Sequence, residues 1–191
     1  MKREIEVLWQ LRGSAGSAEK SLLAAKLKAV GEKKTVDTYY FDPLRRDLKP
    51  AKSGRLTACF RLREKGGICS LAYKIDHFDG DVWRYSDEHE TGVTDAAVMR
   101  DIVRHLGLKT LVVVDMTKRL FESADYEVAI ESVKGLGAFI EVETRRSVSD
   151  KEADAEKERI RQFLANIGIR VGAEMNAGKP ELLLKKKKLG A

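Results

Sequence analysis

Four glutamates stand in two pairs, and within each pair a single residue separates the two acids. Glu4 and Glu6 lie near the N-terminus, and Glu141 and Glu143 repeat the spacing far along the chain. Residues two apart in a β-strand point to the same face, so each pair presents two carboxylates in one direction. Gathered carboxylates are neutralised by divalent metal ions or by basic side chains. The spacing therefore predicts a site for Mg²⁺ or Mn²⁺, for cationic side chains, or for both.

Other predicted strands also carry charge on one face and apolar side chains on the other. In residues 55–64, Arg61 and Arg63 oppose Phe60 and Leu62. Further polar faces carry Lys74 and Glu131, whereas Trp9 and Trp83 fall on apolar faces. The pattern fits an ordinary half-buried sheet whose polar side faces solvent. It equally fits a barrel whose polar side lines a water-filled lumen, and the alternation alone does not choose between the two.

A charged lumen would be suited to a phosphate-bearing ligand. Arginine binds phosphate through its planar fork and lysine binds it as a point charge. The paired glutamates would hold Mg²⁺ or Mn²⁺, which takes a few carboxylates together with phosphate oxygens.

The periodicity predicts an α+β fold made mainly of antiparallel strands. Predicted helices cover residues 18–31, 95–106 and 150–167, with Ser17 as the N-cap of the first. Predicted strands cover residues 3–12, 35–41, 55–64, 69–76, 82–91, 111–115, 118–122, 126–133 and 137–146. Many strands with few helices favour a sandwich or a closed barrel.

Size and composition predict one domain over residues 1–184, followed by a lysine-rich tail over 185–191. The chain has 191 residues, of which 43% are hydrophobic, enough for a sizeable core. No apolar run approaches the roughly 20 residues that span a membrane. The chain starts directly with a charged strand, which predicts no signal peptide. Cys59 and Cys69 fit neither a metal spacing nor a disulfide framework, and we expect a reduced, cytoplasmic protein.

The net charge of +6 raises the possibility of a nucleic-acid partner. Four of the positive charges are consecutive, from Lys185 to Lys188, in the predicted tail. The other basic residues lie in strands beside acids, and no aromatic and basic RNA-binding motif is present. We therefore expect neither a nucleic-acid nor a membrane partner.

Several segments follow one another in the order of a known family's motifs. They are EIE (4–6), DTYYFD (37–42), FRLR (60–63), LAYK (71–74) and VKGLGAFIEVE (133–143). Together they resemble the CYTH superfamily, named for class IV adenylate cyclase and thiamine triphosphatase. The predicted helix over 150–167 and the segment ELLL (181–184) also fit, so the resemblance covers residues 3–184.

The resemblance implies an eight-stranded closed β-barrel with flanking helices, a tunnel that binds a triphosphate group with the help of divalent metal. It assigns the metal to Glu4, Glu6, Glu141 and Glu143. It assigns phosphate binding to Arg61, Arg63, Lys74 and Lys118. It makes Glu131 and Lys118 the candidate catalytic residues, with Glu131 assisting deprotonation of the attacking group.

The chain departs from the family's pattern at two cationic positions. Leu8 stands where the family's first motif, ExExK, ends in lysine, and Met116 stands where a later strand carries another lysine. A third difference is Glu131, which replaces an aspartate. Neither leucine nor methionine binds phosphate, so these changes bear on activity more than on fold.

Three functions remain open at this point. The first is a class IV adenylate cyclase, which converts ATP to cyclic AMP and pyrophosphate. The second is a triphosphatase acting on thiamine triphosphate or inorganic tripolyphosphate. The third is a protein that binds an organic polyphosphate without turning it over, because of Leu8 and Met116. A homodimer is also left open.

Overall fold

The structure is a computed structural model that describes residues 2–189. Its strands are β1 (Lys2–Glu4), β2 (Glu6–Leu11), β3 (Lys28–Phe41), β4 (Ala58–Lys65), β5 (Ile68–Asp79), β6 (Val82–Val93), β7 (Lys109–Glu122), β8 (Tyr126–Val133), β9 (Gly137–Thr144) and β10 (Val171–Met175). Its helices are α1 (Ala15–Ala24), α2 (Ala96–His105), α3 (Ala153–Asn166) and α4 (Lys179–Leu189), and a 3₁₀ turn over Asp150–Glu152 precedes α3. Residues 1, 190 and 191, which belong to the predicted domain start and tail, lie outside the described residues.

All the described strands form one antiparallel sheet in the order β1-β6-β5-β4-β3-β7-β8-β9-β2-β10. Its two ends are brought together by the N-terminal segment, in which Ile5 alone separates β1 from β2. The first part of this segment pairs with β6 and the second with β9. The sheet must therefore curl, because one continuous piece of chain contacts strands from both of its halves.

The antiparallel α+β class is confirmed, but the strand count differs from the predicted eight. Within residues 2–189 the sheet has ten strands and the shape of a curled half-barrel. Two features account for the difference. The N-terminal strand is interrupted at Ile5, and β10 adds to the outer side of β2.

Helices cover the apolar face of the sheet. Val7 of β2 and Val142 of β9 are buried together with Leu22 of α1 and with Ile160 and Leu164 of α3. These side chains alternate along the strands with the charged residues, which point to the opposite face. The charged face therefore turns toward the inside of the curl.

The first predicted helix is too long at its C-terminal end. It ends at Ala24, and residues 28–31, which were assigned to helix, begin the 14-residue strand β3. Lys26 has a φ of 63°, in the left-handed region that ends a helix. At the other end the N-cap is Ser14 rather than Ser17, because the Ser14 hydroxyl accepts a hydrogen bond from the Ser17 amide.

The C-terminal region contains two elements that the periodicity missed. They are β10 and α4, and α4 includes Lys185–Lys188, which the sequence had placed in a solvated tail. These four lysines are exposed as expected, but they are helical. Among the described residues, no helix has the length and apolar character needed to cross a membrane.

We predict that Ile160→Ala destabilises the protein without altering the charged face. Ile160 is fully buried between α3 and the apolar face, so truncation leaves a cavity that costs about 2–5 kcal/mol in the free energy of unfolding. Urea denaturation measures the loss. The control is Val98→Ala on α2, where the side chain is 53% exposed and the change should stay within about 0.5 kcal/mol. Equal effects of the two substitutions would contradict this assignment of the core.

Candidate functional site

The inward face of the sheet encloses a cavity of about 110 Å³ that is lined mainly by charged side chains. The basic lining residues are Arg61, Arg63, Lys65, Lys74, Lys118 and Lys179. The acidic lining residues are Glu4, Glu6, Asp37, Asp76, Glu127, Glu141, Glu143 and Glu181. The structure thus brings all four predicted metal-binding glutamates and all four predicted phosphate-binding cations to one cavity.

Two arginines from β4 form one wall. Arg61 is 4% exposed and donates to Glu88 at 3.1 Å, while its Nε has no hydrogen-bond partner among the described residues. Arg63 makes two hydrogen bonds of 2.7 Å to the carboxylate of Asp37 on the neighbouring strand β3. Burial by itself would raise the pKa of Asp37, but the bonds from Arg63 lower it to about 2. Asp37 therefore fixes the orientation of the Arg63 guanidinium, whereas Arg61 keeps an unused Nε donor.

A network of two lysines and two glutamates lies on the other side of β3, on strands β7 to β9 and on α4. Lys118 of β7 lies 2.6 Å from Glu131 and 3.3 Å from Glu141. Lys179, the first residue of α4, lies 2.8 Å from Glu131 and also contacts Glu141. Burial opposes the charge of Lys179, yet the two carboxylates raise its pKa above the ordinary lysine value. Both amines thus lie between the carboxylates of Glu131 and Glu141 at the edge of the cavity.

Lys179 was not predicted as a site residue because the predicted elements ended before α4. Its position explains the two departures from the family pattern. Leu8 and Met116 are 2% exposed and pack in one apolar cluster with Leu182 and Leu183 of α4. At the positions where the family's motifs have lysines, Leu8 and Met116 form an apolar surface on which α4 packs. The first residue of α4, Lys179, supplies a lysine to the cavity instead.

The other missed cation and the missed acids follow from simple alternation. Lys65 continues the inward positions of Arg61 and Arg63 along β4. Glu88 of β6 lies on the same face, 3.1 Å from Arg61 and 3.5 Å from Lys74. Burial, and then a hydrogen bond with Glu4, raise the pKa of Glu88 to about 7.

Glu6 and Glu141, one glutamate from each pair, have pKa values that are shifted in opposite directions. Burial, and then the nearby charge of Glu141, raise the pKa of Glu6 to about 8. Glu141 is also buried, but Lys118 and Lys179 lower its pKa well below the ordinary value. A cation placed between the two acids would favour the ionised form of Glu6.

This donor set fits a divalent metal that is bound partly through its substrate. Within residues 2–189, no three carboxylate, histidine or cysteine side chains converge into a preformed metal centre. Mg²⁺ does not require one, since it is usually held by one or two carboxylates together with water and phosphate oxygens. Glu6 and Glu141, whose carboxylates repel each other, supply such ligands. Lys74 contacts Glu4 and Lys179 contacts Glu141, so amines neutralise part of the acidic wall in this structure.

Two predicted residues occupy positions other than those expected. Glu131 lies behind the lysines, is 1% exposed, and is not among the described residues that line the cavity. Trp83, which the alternation assigned to the apolar face, lines the cavity instead. A register shift in the pairing of β5 with β6 causes this change of face.

The match to a family model decides the relationship. The CYTH domain model matches residues 2–169. This chain belongs to the CYTH family. The match covers every strand of the curled sheet except β10, and it ends before α4, so Lys179 lies beyond the matched part of the chain.

Known CYTH-like proteins resemble this chain over most of its length. A Methanocaldococcus jannaschii protein named "Putative adenylate cyclase MJ0240" is 28% identical over 156 residues, which are 79% of this chain and 85% of that protein. The PH1819 protein of Pyrococcus horikoshii superposes with a TM-score of 0.79 at 22% identity, covering 96% of this chain and 99% of that one. A Hippeastrum protein, described as a "putative adenylyl cyclase" with a dominant triphosphatase activity, gives a TM-score of 0.62 at 14% identity, covering 97% and 96%. The two structures establish a shared fold.

We predict that Asp37→Asn destabilises the protein and disorders Arg63. The substitution leaves a largely buried guanidinium without its carboxylate, which costs about 3–5 kcal/mol in the free energy of unfolding. The control is Asp115→Asn, whose partner Lys34 is exposed and 3.9 Å away, so that the loss should stay below about 1 kcal/mol. Chemical denaturation of the two variants makes the comparison. A similar small loss in both would show that the Asp37–Arg63 pair is not structurally important.

The same pair predicts a pH dependence of stability. The folded pKa of Asp37, about 2, lies below the ordinary value of 3.8. Its contribution, about 2 kcal/mol, is therefore fully present above pH 3.8 and is lost as the pH falls toward 2. In acid denaturation the wild-type protein should lose more stability over this range than Asp37→Asn. Parallel curves for the two proteins would contradict the assignment.

Proposed function

We propose that this protein binds the triphosphate group of its substrate in the charged cavity and transfers a phosphoryl group with the help of Mg²⁺ or Mn²⁺. One observation carries the proposal. Buried cations and carboxylates line one cavity, and the Nε donor of Arg61 has no partner among the described residues. A buried donor without an acceptor is costly, and an anion entering the cavity would satisfy it.

The cations have distinct proposed roles. Arg61 and Arg63 bind phosphate oxygens from the β4 wall, where the rigid Asp37 pair orients the second guanidinium. Lys74, Lys118 and Lys179 bind from the other strands and from α4. Lys179 supplies the positive charge that Leu8 does not, which removes the main reason to expect a cavity that binds without reacting.

The proposed metal ligands are Glu4, Glu6, Glu141 and Glu143. A bound divalent ion would neutralise phosphate charge as it develops during the reaction. For this the amines of Lys74 and Lys179 must move from their carboxylates to the phosphates. The short distances inside the cavity make such an exchange of partners a small movement of flexible side chains.

Glu131 acts in this scheme as a positioning residue. It is fully buried and holds Lys118 and Lys179 together at 2.6 and 2.8 Å. It is not among the described residues that line the cavity, so it has no direct access to a bound substrate. We therefore propose that Glu131 orients the two lysines rather than accepting the proton of the attacking group.

Hydrolysis of the triphosphate is the reaction that this geometry supports best. Phosphoryl transfer depends mainly on positioning and charge stabilisation, which the cavity offers, and water is a sufficient acceptor. The description of the Hippeastrum protein as a triphosphatase is consistent with this choice. Cyclisation of ATP is the second candidate, favoured by the name of the M. jannaschii relative, and it further requires a ribose hydroxyl aligned with the α-phosphorus.

Product analysis tests the proposal. The purified protein is incubated with Mg²⁺ or Mn²⁺ and, separately, with tripolyphosphate, thiamine triphosphate and ATP, and products are resolved by chromatography. Orthophosphate release identifies the triphosphatase and its substrate. Cyclic AMP with pyrophosphate would replace hydrolysis by cyclisation. If calorimetry detects no binding of any of the three compounds, the triphosphate site itself is wrong.

We predict that Lys179→Met lowers tripolyphosphate affinity about 10- to 100-fold, since the loss of one buried charge-assisted contact costs about 1.5–3 kcal/mol. Isothermal titration measures the affinity. Lys187→Met is the matched control, because Lys187 is an exposed lysine of the same helix. Equal affinities for the two variants would exclude Lys179 from the site.

We predict that Glu141→Ala combined with Glu143→Ala abolishes the metal dependence of activity and of tripolyphosphate binding while the protein stays folded. The two carboxylates line the cavity and contribute nothing to the apolar core. Titration with Mn²⁺ in the presence of tripolyphosphate measures the effect, and circular dichroism verifies folding. The matched control replaces the exposed Glu32 and Glu158 by alanine. Wild-type metal response in the cavity variant would remove these residues from the metal site.

A further inference from the structure

The carboxylate of Glu181 joins the start of α4 to the segment that leads into β4. Its Oε2 atom accepts a hydrogen bond of 2.6 Å from the amide of Gly178, and its Oε1 atom accepts one of 2.9 Å from the amide of Leu56. Leu56 lies 125 positions earlier in the chain and is 2% exposed. One side chain thus connects two parts of the chain that are distant in sequence and that lead into elements carrying cations of the cavity.

The bond to Gly178 has an ordinary role in starting a helix. Gly178 directly precedes α4, and its carbonyl accepts the first hydrogen bond of the helix, from the Leu182 amide at 3.1 Å. A glutamate three residues after such a position commonly accepts a hydrogen bond from its amide. Glycine has no side chain that could cap the helix, so Glu181 supplies the capping contact. This bond fixes the first turn of α4, and Lys179 is the first residue of that turn.

The bond to Leu56 has no part in helix capping. It holds the start of α4 against the chain just before β4, the strand whose Arg61 lines the cavity. The guanidinium of the neighbouring Arg55 donates to the turn between β5 and β6, so the segment before β4 is fastened on a second side. The position of the Lys179 backbone relative to the arginines of β4 therefore depends on Glu181.

By charge alone, a carboxylate at this place is unfavourable for phosphate. Glu181 lines the same cavity as the cations, and like charges repel. Burial raises the pKa of Glu181, whereas the hydrogen bonds from the amides of Leu56 and Gly178 lower it. The two amides thus offset part of the cost of burying the carboxylate. An acid in a cavity for a polyanion requires a reason other than its charge, and these two hydrogen bonds provide one.

We propose that Glu181 is a positioning residue of the triphosphate site, which acts through Lys179 by holding the first turn of α4 at a fixed place relative to β4. The inference rests on the proposed function, because Lys179 is useful there only if a polyanion binds. Glu131 and Glu141 contact the amine of Lys179, whereas Glu181 fixes the backbone from which that amine extends. Losing Glu181 therefore weakens triphosphate binding, although it removes a repelling charge.

Isothermal titration with tripolyphosphate in Mg²⁺ tests the inference. We expect Glu181→Ala to lower the affinity about tenfold, since two hydrogen bonds that fix the start of α4 are lost. In a Lys179→Met background the same substitution should change the affinity less than about twofold, because the amine that it positions is already gone. In a Lys74→Met background it should again lower the affinity about tenfold. Ile160→Ala, which destabilises the core, is the control and should leave the affinity unchanged.

The outcomes separate this inference from the proposed function. If Glu181→Ala leaves the affinity unchanged or raises it, Glu181 acts only through its charge and the inference is wrong. An equal loss in the Lys179→Met and Lys74→Met backgrounds also overturns it, because Glu181 would then act through the fold in general. If Glu181→Ala does not fold, Glu181→Gln replaces it. Glutamine keeps one acceptor oxygen for the two amides, so the loss should be about threefold, with the same dependence on Lys179. Failure of tripolyphosphate to bind the wild-type protein contradicts the proposed function itself, which the other outcomes leave standing.

Discussion

The burial of charge inside a β-sheet is the constraint on which this structure depends. Removing an unpaired charge from water costs several kcal/mol, so each cation of the cavity requires a carboxylate within reach. The structure meets this requirement with Asp37 for Arg63, Glu131 for Lys118 and Lys179, and Glu88 for Arg61. The pairing is incomplete at the Arg61 Nε and at Glu6, whose pKa is raised by burial and by the nearby charge of Glu141. Those are the places where a polyanion and a metal ion would each complete the balance.

The C-terminal helix α4 also takes part in this pairing of buried charges. Its leucines rest on Leu8 and Met116, and its first residue puts an amine between Glu131 and Glu141. The apolar and charged contacts reinforce each other: the leucines hold the helix in place, and the helix position sets the reach of Lys179. A lysine at position 8 would bury a charge among these leucines, where it would have poor solvation. The two departures from the family pattern are therefore one coordinated arrangement rather than two separate losses.

Alternation along the strands was enough to predict the charged face, because the side-chain period of a strand is two and the predicted positions agreed over several strands. The family resemblance added the order of the motifs. Residues 28–31 were misassigned because Leu27 and Val30 mimic helical spacing. Trp83 was placed on the wrong face since a single bulged residue reverses the alternation and leaves no mark in the sequence. Lys179 was missed although Pro180 at the first turn of α4 and Glu181 after it are helix-start residues.

The lining of the cavity changes from one end to the other, and this change limits the orientation in which a substrate can bind. Its middle carries the cations, and one end carries Phe78 and Trp83 beside Asp76 and Glu181. A triphosphate with an organic group at one terminus would then lie in a single orientation, because reversing it would place phosphate against the aromatic rings and away from the arginines. Its terminal phosphate would point away from α4, toward Lys65, Glu127 and Glu143, where the cavity lining continues into a more open surface with Arg145 and Glu90. The more open surface at that end is a further reason why we propose hydrolysis of the terminal phosphate rather than reaction at the α-phosphorus.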